Sequence, residues 1–171
     1  MADFNDHISQ AKHNLKFLSG INMSHNEFFD WEVTVSYYTA VHLINAHISK
    51  KSNLHFRTHS DSKMAINPFG SLANTKVPEN IYKSYIKLEL LSRRARYLIK
   101  DVENAIPDNS AHFTYDKHFS KAIRHLDILI TYFSKEYSIT FPVIDIFCIT
   151  LVNDLQLSNF KALSKLSKEV F

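Results

Sequence analysis

The stretch Asp30-Trp31-Glu32-Val33-Thr34-Val35-Ser36-Tyr37-Tyr38-Thr39-Ala40-Val41-His42-Leu43-Ile44-Asn45-Ala46-His47 decides the fold class. Val33, Tyr37, Ala40, Ile44 and Ile48 recur at steps of three and four, so they share one helical face. Trp31, Val35, Tyr38 and His42 line a second face. A helix apolar on two faces belongs at the centre of a helical protein. The predicted helix covers residues 28–48, with Asn26 as its cap.

Working outward, Phe4, Ile8, Ala11, Leu15 and Leu18 form the stripe of a preceding helix that Gly20 is expected to help end. After the central helix, residues 50–77 turn to Ser, Asn, Lys and His, with a turn at Asn67-Pro68-Phe69-Gly70. This is a long connection with room for one short helix. Pro78 then suits the first turn of a helix whose Ile81, Tyr85, Leu88, Ser92, Ala95 and Ile99 share a face, ending before Pro107. Phe119, Ala122, Ile123, Leu126, Ile130 and Phe133 define a fourth long helix over residues 115–136.

Four amphipathic helices predict an all-α, up-and-down four-helix bundle over residues 1–137. Residues 138–171 form an additional segment packing on the same domain or on a partner. Its β-branched stretch, 139–152, reads either as a strand or as a helix starting near Thr140 and Pro142, and helix is the expectation. Phe160, Leu163 and Leu166 lie on one side of a short amphipathic tail.

Composition agrees: of 171 residues only 2 are glycine and 4 proline, while 45% are apolar, too few turn residues for a many-stranded sheet. One cysteine, Cys148, permits neither an internal disulfide nor a thiolate-rich zinc site, which points to the cytoplasm. The opening residues lack a basic region followed by an apolar run, so no secretory signal is expected. The longest apolar stretch, 141–152, is interrupted by Asp145 and falls short of the roughly 20 residues of a membrane span. With 20 basic against 17 acidic residues, nucleic-acid binding would have to come from a local patch.

Three segments carry candidate chemistry. Tyr38, His42 and Asn45 form a polar row on the central helix, explained either by hydrogen bonds within the core or by a site. His55, Arg57, His59 and Asp61 lie close together in the connection. His55 and His59 have metal-ligand spacing but no evident third ligand, whereas Arg57 suits an anion or phosphate. Arg93, Arg96, Tyr97 and Lys100 make the densest basic patch, readable as a solvated helix end or as a surface that pairs with phosphate and stacks on a base. Gly-rich phosphate loops, Gly-x-Ser-x-Gly elbows, His-Glu-x-x-His helices and Cys-x-x-Cys pairs are absent, and no metal or cofactor is expected.

Taken in order, His13-Asn14-Leu15 with Phe17-Leu18, Asp30-Trp31 with the run Ser36 to His42, the loop His59, and Leu91-Ser92-Arg93 with Ala95-Arg96-Tyr97 resemble the HEPN superfamily. The likeness is to its small stand-alone bacterial branch and covers roughly residues 6–133. The resemblance implies a four-helix bundle, frequent homodimerisation and, in many members, metal-independent RNA cleavage in toxin–antitoxin or defence systems. Ribonuclease members carry an arginine, then four to six residues, then a histidine, a spacing no arginine of this chain has.

The expected function is a HEPN-like module binding RNA, a nucleotide or a cognate partner protein. A metal-independent ribonuclease with a non-standard site, using His42 or His59, is the first alternative. A structural homodimeric interaction protein is the second. The residues expected to converge at one end of the bundle are Arg57, His59, Arg93 and Arg96, with Tyr38 and His42, and Tyr97 is a further candidate for binding phosphate or a nucleotide.

Overall fold

A computed structural model describes residues 2–25, 27–56, 58–71, 74–106 and 108–164. Among the described residues five helices appear in chain order: α1 (Phe4–Ser24), α2 (Phe29–Ser52), α3 (His59–Ile66), α4 (Glu79–Tyr97) and α5 (Asp116–Tyr137). Two short strands follow, β1 (Ile144–Phe147) and β2 (Phe160–Leu163), with one 3-10 turn, Ile149–Leu151, between them.

Helix α1 starts with a reciprocal cap: the Asp6 N–H donates to the Asp3 carboxylate and the Asp3 N–H to that of Asp6, both at 2.9 Å. It does not stop near Gly20 but runs to Ser24. Glycine costs a helix about 1 kcal/mol relative to alanine, and tertiary contacts beyond it outweigh that. Asn22 is sealed in the interior and bonded to Glu32 and to the Phe147 backbone.

Helix α2 packs against α1, α3, α4 and α5 and is central, as its two apolar faces require. Val33, Tyr37, Ala40, Leu43, Ile44 and Ile48 are buried, and Asn53 in the left-handed region ends the helix. Its second stripe is only partly covered: Val35 and His42 are half-buried, while Trp31 is 61% exposed and Tyr38 37%. The Asn26 cap lies outside the described residues.

Helix α4 takes Pro78 as its N-cap and ends at Tyr97, where Leu98 turns left-handed. Ile99 therefore leaves the helical face and is exposed. The short α3 begins at the cap Thr58, whose hydroxyl accepts from the Asp61 N–H. Ser62 then donates to Asn45 of α2 at 3.1 Å, and Lys63 pairs with Glu89 of α4 at 3.2 Å. These contacts seat α3 across α2 and α4.

The C-terminal segment corrects the expectation of helix. Ile144 pairs in parallel with Phe160, and Phe147 with Leu163. Within β1, Ile144 and Ile146 are buried while Asp145 faces out, the two-residue period of a strand. Phe141, Ile144, Ile146, Cys148, Leu151 and Phe160 join the core of the helices. Asp127 of α5 accepts from the backbone N–H groups of Ser158 and Asn159, which seats β2. Phe160 and Leu163 thus belong to a strand rather than an amphipathic tail, and Leu166 lies outside the described residues.

Candidate functional site

Helices α2, α3 and α4 bring side chains distant in sequence around the Tyr37 ring. The His59 ring, at the first position of α3, lies 5.5 Å from the Tyr37 ring and 6.0 Å from that of Tyr38. The Arg96 guanidinium, in the last turn of α4, lies 5.9 Å from the Tyr37 ring centre and 5.1 Å from that of Tyr97. A cation within about 6 Å of an aromatic face gains about 0.5–1 kcal/mol where exposed. The Arg96 Nε also donates to the Ser92 carbonyl at 3.3 Å, which restrains the guanidinium plane.

Tyr37 forms the floor: it is buried, and burial pushes its phenol up to about 12, so it stays neutral. Tyr85 of α4 lies beside it at 5.8 Å between ring centres, and burial likewise raises its phenol. Above this floor Tyr38, His59, Arg96 and Tyr97 are exposed. The arrangement offers a cation, an imidazole and two accessible rings to one ligand.

Other expected residues go elsewhere. Arg93 is exposed one turn before Arg96 and lines a cavity of about 360 Å³ with Lys100, Asp108, Ile99 and Val102. Lys100 already pairs with Asp108 at 2.5 Å. Arg57 lies outside the described residues. His42 faces the groove between α1 and α2 together with Tyr38, Gln10, Asn14 and Phe17. The polar row of α2 thus splits three ways: Tyr38 to the aromatic surface, His42 to α1, and Asn45 to Ser62 of α3.

Sequence reasoning missed His7. Its Nδ1 lies 3.1 Å from the His42 Nδ1, and its Nε2 lies 3.3 Å from the His55 Nδ1. Burial together with the neighbouring imidazole holds His42 down at about 4, and burial followed by His55 lowers His7. His7 lies on the same buried stripe as Ala11 and Leu15, a signal that marks an inward histidine without revealing its partners. His55 engages His7, which separates it from the metal-ligand spacing it shares with His59. Among the described residues no group of three or more His, Cys, Asp or Glu side chains is arranged to hold a metal ion.

Phe17 on α1, Phe28 at the N-cap of α2 and Trp31 in the first turn of α2 are also exposed. Among the described residues, no helix is long and apolar enough to cross a membrane. The chain matches no protein-family model, no curated protein and no solved structure.

Proposed function

We propose that this protein is a HEPN-like helical module, its four long helices an up-and-down bundle, that binds single-stranded RNA on the surface of Tyr38, His59, Arg96 and Tyr97. One observation carries the reading: Arg96 lies over two tyrosine rings while His59 stands against the same Tyr37, from a different helix. Guanidinium pairs with phosphate through a planar fork, and exposed rings stack bases without regard to sequence, at about 1–3 kcal/mol per base. A free nucleotide presents the same chemistry in smaller form. Arg93 and Lys100 line a separate cavity, and Lys100 is paired with Asp108, so the reading rests on Arg96 as its cation. The buried thiol of Cys148 suits a reducing cytoplasm.

The test is fluorescence-anisotropy titration of labelled single-stranded RNA across a salt series. Binding should weaken with salt and fall about tenfold in Arg96→Ala and in Tyr97→Ala. Salt-independent binding, or variants that bind as wild type does, would remove the reading.

A ribonuclease of toxin or defence type is the second reading, favoured by His59 standing exposed near Arg96. Strand cleavage through the 2′-hydroxyl needs an imidazole to move a proton and a cation to stabilise charge on the phosphate. Cleavage of cellular RNA in chelator, with 2′,3′-cyclic phosphate ends and loss in His59→Ala, would establish it. His42, across Tyr38 and held neutral beside His7, is the weaker candidate.

The exposed Phe17, Phe28 and Trp31 support homodimerisation, with a cognate partner protein as the other occupant. Sedimentation of wild type against Trp31→Glu distinguishes a dimer from a monomer that waits for another chain.

A further inference from the structure

Three imidazoles form a chain across three parts of the fold. His7 belongs to α1, His42 to α2, and His55 to the connection that leads into α3 and His59. His7 is buried, and the other two are half-buried. Four ring nitrogens face one another in two contacts, leaving only the Nε2 atoms of His42 and His55 pointing outward from the chain.

The proton count follows from the chemistry of imidazole. Each nitrogen-to-nitrogen contact holds one hydrogen: none leaves two lone pairs opposed, and two leave N–H facing N–H. Three neutral rings carry three hydrogens. With both contacts intact the chain accepts four at most, one in each contact and one on each outward Nε2. One excess proton therefore fits, most simply with His7 donating from both nitrogens, and a second must break a contact.

We propose that His7 is a positioning residue for the candidate site, clamping residues 53–56 of the connection to α1 and α2, and that a second proton on the imidazole chain opens this clamp. The charged groups around it are few. From α1 the carboxylates of Asp3 and Asp6 favour protonation of His7, from the connection His55 opposes it, and from α2 His42 is opposed by His7 in turn. Burial opposes a charge on both His7 and His42, which places opening on the acid side of neutrality. The clamp itself stands apart from any ligand. Its bearing on His59 rests on the RNA-binding reading.

Hydrogen exchange of the full chain, corrected for intrinsic rates, tests the clamp without RNA. Protection at Asn53 and Leu54, whose N–H groups donate to the Ser49 carbonyl and the Ser52 hydroxyl, should fall at least tenfold between about pH 7 and about pH 4 while the centre of α5 remains protected. In His55→Gln the amide can either accept from or donate to the His7 Nε2, so that contact no longer depends on proton number. This variant should keep its protection at low pH. His7→Phe, which removes both contacts, should lack protection at every pH. Unchanged wild-type protection, loss simultaneous with α5, or loss in His55→Gln at the wild-type pH would each overturn the proposal. RNA anisotropy on the same samples separates the two readings: intact pH-dependent protection with no RNA binding sinks the ligand and leaves the clamp standing.

Discussion

Asn22 treats Phe147 as a strand neighbour: its carboxamide oxygen accepts the Phe147 N–H at 2.6 Å and its nitrogen donates to the Phe147 carbonyl at 3.1 Å. One side chain of α1 therefore completes the edge of β1, and it also donates to the buried Glu32 carboxylate. Replacing Asn22 by Ala leaves a backbone pair and a carboxylate without their partner. Each such buried loss costs about 1–3 kcal/mol. Urea unfolding should show Asn22→Ala destabilised by at least about 2 kcal/mol, and a change within 0.5 kcal/mol would contradict the arrangement.

Glu32 predicts an alkaline weakness. It is fully buried, one carboxylate oxygen lacks a hydrogen-bond partner, and burial raises its carboxyl to about 7 against the hydrogen bond from Asn22. A carboxyl raised on folding is favourable while protonated, and the advantage drains away as pH rises from its ordinary range through about 7. Glu32→Gln should therefore match wild type near pH 5 and exceed it by about 2–3 kcal/mol near pH 8.5. Equal unfolding midpoints at both pH values would show that the carboxylate is solvated.

Histidines predict the opposite slope in acid. Burial holds His42 and His118 at about 4 and lowers His7, His47 and His125. His47 shows why neutrality is favoured: its Nε2 donates to the Thr75 carbonyl, leaving Nδ1 to accept from the Tyr137 hydroxyl at 2.7 Å. Groups lowered on folding contribute stability when neutral, and that stability is lost as pH falls from about 6.5 toward 4. Denaturation midpoints should drop steeply over this window. Tyr137→Phe, which frees the His47 Nδ1 to take a proton, should ease part of the pH dependence.

Arg96 predicts a difference between two cations. Lysine keeps the charge but loses the planar face that lies over Tyr37 and Tyr97. Arg96→Lys should recover the salt dependence of RNA binding, a slope near 0.7 per phosphate contact, without recovering the affinity. Full recovery would mean that charge alone matters and that the rings play no part.

Helices α2, α4 and α5 were legible in the sequence because their signal is local: apolar residues every three or four positions, with few glycines or prolines to interrupt them. The same locality explains the misreadings. A four-residue strand carries too short a pattern to distinguish from a helix, and β1 exists because Phe160 lies alongside Ile144. Gly20 ends a helix only when nothing beyond it is anchored, and the Asn22 contacts lie with residues remote in the chain.

The candidate residues divide in the same way. That Tyr38, His59, Arg96 and Tyr97 are candidates for pairing with phosphate or stacking on a base comes from residue type and helical spacing. That His59 and Arg96 each come within 6 Å of the Tyr37 ring centre, that His42 turns to His7, and that Arg93 faces a separate cavity was decided by tertiary structure. Periodicity assigns a side chain to a face of its own helix. Only the packing of α1, α3 and α4 around α2 determines what that face meets.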